Sequence, residues 1–218
     1  MNFTALLPRR IAQLLGTLAL AGALAGCTSS PTVQGTRLDS TPRIAVISAF
    51  APELTVLLPQ VQQPVKHSIN GVEFTTGTLQ GKPVVVFLSG ISMTNAAMNT
   101  QLVLDRFNVS HIVFSGIAGG VNPGLHIGDV TVPARWGQYL EWLMAREDQP
   151  GKYSAPGWMQ AELTLPAFGM MHPRPVEVRS AANPKITQKF WFEADPRMLA
   201  VANGLASVPL EHCHASHC

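Results

Sequence analysis

The sequence predicts an α/β fold built around a mostly parallel sheet. Short runs of β-branched and other apolar residues, typical of strands, occur at residues 43–48, 84–88 and 112–114, and the first of these strands is predicted to be buried. Between the last two runs, residues 92–106 carry apolar side chains at helical spacing, with Ser92 as the N-cap. A strand, a helix and a second strand in that order form a βαβ unit, whose strands are parallel.

The amino-terminal residues have the pattern of an export signal. A basic pair precedes an apolar run over residues 11–26, which is too short to span a bilayer comfortably. The run ends in LAGC at residues 24–27, which resembles the lipobox of bacterial lipoproteins. This resemblance implies cleavage of a signal peptide, residues 1–26, and acylation of Cys27 on its thiol and its new amine. The alternative is an ordinary signal peptide with an incidental cysteine.

Residues 27–41 are predicted to be a flexible tether between the lipid and the folded chain. They are rich in Ser, Thr, Pro and Gly, and no apolar period runs through them. Residue 28 is Thr, whereas Asp at this position of similar lipoproteins tends to mean retention in the inner membrane. We therefore expect an outer-membrane lipoprotein that faces the periplasm.

Residues 42–218 are long enough for one domain with a hydrophobic core. Removal of the signal takes away two arginines and no acidic residue, which leaves 13 basic and 13 acidic residues. This neutral balance gives no support for nucleic acid as a partner.

Local signals place further elements along this domain. A short helix is predicted to begin at Pro52 and to stop at Pro59. Asn70-Gly71 is a strong hairpin signal between two runs suited to strands, residues 65–69 and 72–78.

The regular pattern dissolves after residues 129–132. Residues 136–185 contain six prolines, and a long irregular stretch in a compact domain is usually functional or mobile. A final helix is predicted after Asp195-Pro196, with the acid as N-cap and the proline at the first helical position.

Three loops that follow predicted strands carry distinctive residues, at 48–53, 89–95 and 115–120. Ligands of open α/β sheets bind outside the carboxyl ends of the strands, so these loops are the candidate site.

Four motifs in a fixed order resemble the nucleoside phosphorylase and nucleosidase superfamily, closest to the methylthioadenosine/adenosylhomocysteine nucleosidases. They are IAVISAFAPE at 44–53, LSGI at 88–91, SGIAGG at 115–120 and LHIGDV at 125–130. The resemblance covers about residues 43–135, with a weaker echo in the helix after Asp195. It implies a three-layer α/β sandwich with the last part missing, and a purine nucleoside as the ligand.

The resemblance implies that Glu53 is the catalytic residue that helps to activate the attacking water. Cleavage of an N-glycosidic bond builds positive charge on the sugar, which a carboxylate stabilises. The alternative is that Glu53 lies in a first helical turn, where the helix dipole favours an acid.

Six residues match loops that bind substrate in the family: Ser89, Gly90 and Ile91 near the ribose, and Ala118, Gly119 and Gly120 under the base. Each loop has a simpler explanation. Serine at a strand end is often a turn residue, and tight turns require glycine as much as ligands do.

The charge of the loops favours water over phosphate as the nucleophile. A phosphorylase must hold a phosphate dianion with basic side chains, yet residues 48–52 and 89–97 contain no Arg or Lys. Glu53 would also repel the anion. We therefore expect hydrolysis without a cofactor.

The sequence departs from the family near the carboxyl end. The family holds ribose with the glutamate of a Met-Glu pair and protonates the base with the aspartate of a Ser-Asp pair, and neither pair occurs here. The chain is thus expected to be a truncated product or to have lost the last third of the domain, with weak activity. The alternative is a non-catalytic nucleoside-binding or storage-like lipoprotein.

The last seven residues, HCHASHC, contain two cysteines and three histidines. In an oxidising periplasm we expect a disulfide between Cys213 and Cys218, with a metal site as the alternative. The expected partners are the purine nucleoside, the membrane through the lipid and, as an open alternative to a monomer, a second copy in a homodimer.

Overall fold

The computed structural model describes residues 36–159, 161 and 167–210, which form two compact units divided between Gly119 and Gly120. Cys27, Cys213 and Cys218 lie outside the described residues. Lipid attachment and the disulfide therefore stay predictions.

The first unit contains a five-stranded sheet in the order β2-β3-β4-β1-β5. Its strands are β1 (Arg43–Ser48), β2 (Gln62–Ile69), β3 (Val72–Leu79), β4 (Lys82–Leu88) and β5 (Val109–Phe114). Strand β1 lies between β4 and β5 and is parallel to both, whereas β2–β3 and β3–β4 are antiparallel. The α/β class is confirmed, and the sheet is a mixed one.

Two tight turns create the antiparallel part of the sheet. Asn70, Gly71, Gln80 and Gly81 all have positive φ angles, between 49° and 80°. Two successive residues with positive φ form the turn whose twist matches that of paired strands. The Asn70-Gly71 hairpin predicted from the sequence is present, with Ile69 opposite Val72.

Helical segments cover both faces of the sheet. Helix α1 (Ala51–Leu54) and a 3-10 turn (Leu58–Gln60) follow β1, and helix α2 (Met93–Arg106) joins β4 to β5. The hydroxyl of Ser92 accepts a hydrogen bond from the N–H of Asn95, as expected of an N-cap. The three predicted layers are therefore present in this unit.

Each face of the sheet has its own core. Under α2 the buried side chains are Ala45, Ile47, Phe74, Val85, Phe87, Val103 and Phe107. The opposite face buries Val46, Leu54, Val61, Val84 and Val86. The continuous apolar runs of β1 and β4 are explained by this burial on both faces.

The last residues of the predicted tether are bonded to the first unit. The N–H of Leu38 donates to the carbonyl of Arg106, and Asp39 forms an ion pair of 2.9 Å with Arg43. Asn108 donates to the carbonyl of Ser40. Residues 38–40 of the predicted tether are thus held against the first unit.

In the described part of the second unit there are short antiparallel pairs and one helix. Its strands are β6 (Arg135–Gly137), β7 (Trp142–Met144), β8 (Arg146–Gln149), β9 (Lys152–Ser154), β10 (Met171–Pro173), β11 (Val176–Val178), β12 (Thr187–Lys189) and β13 (Trp191–Glu193). They pair as β6 with β13, β7 with β10, β8 with β9 and β11 with β12.

The predicted final helix is α3 (Pro196–Gly204). The carboxylate of Asp195 caps it by accepting from the N–H groups of Arg197 and Met198. Residues 129–132 belong to no helix or strand. No helix in the described part of the chain is long and apolar enough to cross a membrane.

Candidate functional site

The carboxyl ends of the three parallel strands meet at one edge of the sheet. Ser48 at the end of β1 lies opposite Leu88 of β4, and Ile47 lies opposite Phe114 of β5. The loops that follow these strands are the three that the sequence marks as candidates. Parallel pairing alone brings them together.

The carboxylate of Glu53 joins two of these loops. Glu53 is the third residue of α1, and its Oε2 accepts from the N–H groups of Ala49 at 2.6 Å and Phe50 at 3.3 Å. Its Oε1 accepts from the N–H of Ile117 at 2.9 Å, in the loop after β5. One side chain thus bridges positions 64 residues apart.

These bonds favour the ionised form of Glu53. Partial burial raises the pKa of its carboxyl, but the N–H groups of Ile117, Ala49 and Phe50 together lower it more. The pKa of Glu53 is therefore below its ordinary value of 4.5, and the group is ionised at neutral pH. Such a carboxylate is a weak base that can orient water and stabilise positive charge.

The geometry goes beyond what a helix turn requires. A bond from Glu53 to the N–H of Phe50 is ordinary for an acid in a first turn. The bond to Ile117 serves no capping purpose, because Ile117 lies in another loop. A carboxylate has about four acceptor positions, so the three N–H donors leave about one for a ligand or a water.

Gly116 makes the close approach of Glu53 possible. A Cβ atom at this position would lie 2.6 Å from Oε1 of Glu53, well inside van der Waals contact. Glycine is required at position 116 because a side chain would collide with Glu53. The backbone conformation is not the reason, since the φ angle of Gly116 is not positive.

The loop after β4 is held by helix α2. The side chain of Asn99 donates to the carbonyl of Ser89 at 2.7 Å, and that of Asn95 donates to the carbonyl of Ile91 at 2.8 Å. Ser89 is 1% exposed, and its hydroxyl donates to the carbonyl of Gly90. Ser89 therefore contributes to the shape of the loop, while Ile91 is 69% exposed.

A cleft of about 420 Å³ lies beside this loop. Residues that line it include Ala49, Leu54, Ser89, Gly90, Asn95 and Asn99. Glu53 does not line this cleft, although its neighbour Leu54 does. The cleft and the carboxylate are thus adjacent features of the same sheet edge.

The remaining predicted site residues are less tightly placed. Ala118 and Gly119 are exposed in the loop after β5, and Gly120 opens the second unit. Within the described residues, no three His, Cys, Asp or Glu side chains are grouped so that they could hold a metal ion. The substrate-binding role of these residues stays a prediction.

Sequence reasoning missed two polar side chains that hold the loops. Asn99 follows Asn95 by one helical turn, so both amides lie on one face of α2 and donate to the same loop. Ser48 is a polar residue at the end of a buried strand, and its hydroxyl donates to the carbonyl of Ser115 at 2.6 Å. Both positions could have been found from these patterns.

A family model described as "Phosphorylase superfamily" matches residues 43–211. The 5'-methylthioadenosine/S-adenosylhomocysteine nucleosidases of Bacillus pumilus (strain SAFR-032) and Bacillus licheniformis are both 41% identical to the chain over 90 residues. Each match covers 41% of this chain and 39% of the relative. The chain thus matches well under half the length of these curated relatives.

Solved structures give the same fold. The nucleosidase from S. pneumoniae with the transition-state inhibitor MT-ImmA has a TM-score of 0.52 and 23% identity, over 76% of this chain and 58% of that one. A futalosine hydrolase mutant from Helicobacter pylori has a TM-score of 0.50 and 18% identity, over 76% and 61%. At these identities the likeness concerns the fold alone.

Proposed function

Because the chain belongs to the phosphorylase superfamily, we propose that it is a purine nucleosidase-like protein, which hydrolyses the N-glycosidic bond of methylthioadenosine- or adenosylhomocysteine-type nucleosides. The substrate class is taken from the names of the nucleosidases to which 90 residues of the chain are similar. Purine nucleoside and water are the reactants in this proposal.

The observation that carries the proposal is the position of the Glu53 carboxylate. Three backbone N–H groups from two loops hold it ionised at the sheet edge where α/β proteins bind ligands. A fixed carboxylate can orient a water molecule toward the sugar and stabilise the positive charge that develops there. Neither task requires a strong base.

The loops favour hydrolysis over phosphorolysis. Residues 48–52, 89–97 and 115–120 contain no Arg or Lys, and the anionic Glu53 lies among them. A phosphate dianion would meet a negative charge without a basic partner from these loops. A neutral water molecule meets no such barrier.

Turnover by these 218 residues should be weak. They contain no Met-Glu pair to hold ribose and no Ser-Asp pair to protonate the leaving base. General acid catalysis is typically worth about 100- to 10,000-fold. The same absence supports the second candidate, a non-catalytic nucleoside-binding or storage-like lipoprotein.

Glu53→Gln tests the proposal, with Glu147→Gln as the matched control. Glu147 also accepts from a backbone N–H, that of Gly151, but lies in the second unit. We expect methylthioadenosine to raise the melting temperature of the unsubstituted chain and of both variants, because a ligand that binds only the folded state stabilises it by mass action. Adenine release, measured by chromatography, should fall strongly in Glu53→Gln alone.

Three other outcomes would contradict the proposed hydrolysis or the role of Glu53 in it. Nucleoside binding without adenine release in the unsubstituted chain would favour the non-catalytic candidate. Release that requires added phosphate would mean phosphorolysis. Equal release by Glu53→Gln and the unsubstituted chain would remove Glu53 from the mechanism.

The lipid anchor is part of the proposal and rests on the sequence LAGC at residues 24–27. Acylation of Cys27 would hold the protein at the outer membrane, facing the periplasm. Cys27→Ala should abolish labelling by radioactive palmitate and leave the protein unprocessed or soluble. A cleaved, labelled Cys27→Ala protein in the membrane fraction would contradict the anchor.

The carboxyl-terminal cysteines are proposed to form a disulfide. Cys213 and Cys218 are five residues apart in a chain with an export signal. Mass spectrometry of periplasmic material should find them joined. Two alkylatable thiols, or stoichiometric zinc, would favour the metal alternative.

A homodimer is proposed on the basis of the surface of α2. Apolar side chains exposed on this helix include Met93, Met98 and Leu104, and a second copy that covered any of them would remove apolar surface from water. Sedimentation equilibrium should give twice the chain mass, and Met98→Glu should lower it. A concentration-independent monomer would contradict pairing.

A further inference from the structure

Ser48 bonds to the first residue after each of its neighbouring strands. It is fully buried at the end of β1, between β4 and β5. Its carbonyl accepts from the N–H of Ser89 at 2.8 Å, and its hydroxyl donates to the carbonyl of Ser115 at 2.6 Å.

The bond to Ser115 extends the connection between β1 and β5. The paired register of these strands ends with Ile47 opposite Phe114. The N–H of Ser115 donates to the carbonyl of Ile47, and the carbonyl of Ser115 then accepts from Ser48. Both polar backbone groups of Ser115 are thereby fixed.

Ser115 lies two residues before the backbone N–H that reaches Glu53. Gly116 has no side chain, and the side chain of Ile117 is 80% exposed. Side-chain packing therefore does little to hold this part of the loop. The direction of the Ile117 N–H depends on where the peptide of Ser115 is held.

We propose that Ser48 is a positioning residue for Glu53: its hydroxyl fixes the Ser115 carbonyl, so that the Ile117 N–H points at the Glu53 carboxylate. The catalytic consequence rests on the function proposed above, whereas the structural consequence does not. Ser48 acts through the loop and does not itself contact Glu53 in this arrangement.

Loss of the hydroxyl should release one of the three donors of Glu53. Ala49 and Phe50 would still donate to Oε2, because they precede Glu53 in the same segment. Oε1 would lose its ordered donor from Ile117. The carboxylate would then be free to turn away from the β5 loop, and its pKa would rise toward the ordinary value.

Ser48→Ala is the decisive variant, and Ser110→Ala is its matched control. The hydroxyl of Ser110 also donates to a backbone carbonyl across β1 and β5, that of Arg43 at 3.1 Å. It does so at the opposite end of the two strands. The control therefore removes the same kind of bond from the same strand pair, away from the loops.

Two measurements on the full chain do not require turnover. Amide exchange measured by NMR should be about fivefold faster at Ile117 in Ser48→Ala, the change expected from loss of one hydrogen bond. A carbon-13 titration, with Glu53→Gln as the assignment control, should show a higher pKa for Glu53. Ser110→Ala should match the unsubstituted chain in both measurements.

Ser48→Cys keeps the measurement available if Ser48→Ala fails to fold. A thiol is a weaker donor than a hydroxyl, so the same changes should appear at smaller size. Unchanged Ile117 exchange and an unchanged Glu53 pKa in whichever variant folds would overturn the proposal.

Turnover separates this proposal from the one on which it rests. Where the unsubstituted chain releases adenine, Ser48→Ala should lower kcat with little change in KM, because the nucleoside contacts remain. Altered Ile117 exchange in a chain that releases no adenine would leave Ser48 as a positioning residue and remove the nucleosidase function.

Discussion

The two compact units differ in how their strands are stabilised. The first has one five-stranded sheet with a core on each face. In the second, as far as it is described, strands of three or four residues pair two by two, and the buried apolar side chains are Leu143, Ala145, Pro173 and Phe190. Two-stranded pairs without a shared core are marginally stable.

This difference explains where the candidate site lies. Glu53, its three backbone donors and the Ser48 hydroxyl all belong to the first unit. Precise placement of a carboxylate requires loops attached to rigid elements, and the five-stranded sheet of the first unit provides them. Both units expose large apolar side chains, Phe114 in the first and Trp158 in the second among them.

The largest expected effect is the loss of core packing in the first unit. Phe74 is completely buried, with its ring centroid 4.9 Å from that of Phe87 and 5.6 Å from that of Phe107. Phe74→Ala should lower the free energy of unfolding of this unit by about 3–5 kcal/mol. The urea dependence of amide exchange in β4 measures this loss of unfolding free energy.

Trp158→Ala is the comparison in the second unit. Trp158 is 82% exposed, so its removal should change stability by less than about 0.5 kcal/mol. All four tryptophans, residues 136, 142, 158 and 191, lie in the second unit, and the fluorescence of the other three reports its unfolding. Equal losses in the two variants would erase the distinction between the units.

The same difference governs what the sequence could predict. The strands β1 and β4 and the Asn70-Gly71 turn are specified by residues next to one another in the chain. A run such as VVVF or a turn such as Asn-Gly has few alternative structures. Helix α2 with its Ser92 cap, and α3 with Asp195, were predicted for the same reason.

Other features depend on contacts that leave no local pattern. Strands of three residues, such as β6 and β13, are too short to show any period. The bond from Ile117 to Glu53 uses a backbone N–H, which every residue except proline has. The motif could therefore mark Glu53 as a candidate, but the donors that hold its carboxylate could be found only from coordinates.

Gly116→Ala should have the next largest effect. The added Cβ would lie 2.6 Å from Oε1 of Glu53, so either the carboxylate or the loop must move. We expect a loss of about 1–3 kcal/mol in the stability of the first unit. The control is Gly157→Ala in the second unit, where the added Cβ lies in open space and the φ angle is not positive. The melting temperature of this variant should equal that of the unsubstituted chain. An equal effect of both substitutions would exclude steric contact with Glu53 as the cause.

Asn99→Ala should have a smaller effect, which again separates the units. It removes a partly buried bond of 2.7 Å to the carbonyl of Ser89, and a net hydrogen bond is worth about 0.5–1.5 kcal/mol. Gln188→Ala in the second unit removes an exposed bond to Glu177 and should cost less. Amide exchange near Ser89 and near Glu177 measures the two losses of stability. A larger loss in Gln188→Ala would contradict the view that the bond from Asn99 holds its loop more tightly than the bond from Gln188 holds its strand.

The smallest expected effect is a difference in pH dependence between Glu53 and Asp195, since both pKa values are lowered by backbone N–H groups. For Glu53, burial raises the pKa, and the N–H groups of Ile117, Ala49 and Phe50 together lower it by more. For Asp195, the N–H of Met198 makes the largest contribution to the lowered pKa. A lowered folded-state pKa means that the stabilisation is complete above the unfolded value, 4.5 for Glu53, and is lost as pH falls through the folded value. The stability of the first unit should therefore fall below about pH 4.5 in the unsubstituted chain and less steeply in Glu53→Gln, measured by amide exchange in β1.

Asp195→Asn should change little at any pH, because asparagine is an equally good N-cap and its amide oxygen can accept from the same two N–H groups. Glu53→Gln cannot compensate in this way, since its amide has one acceptor oxygen while the donors of Glu53 use two. Parallel pH profiles for Glu53→Gln and the unsubstituted chain would mean that the carboxylate is not held by these donors in solution.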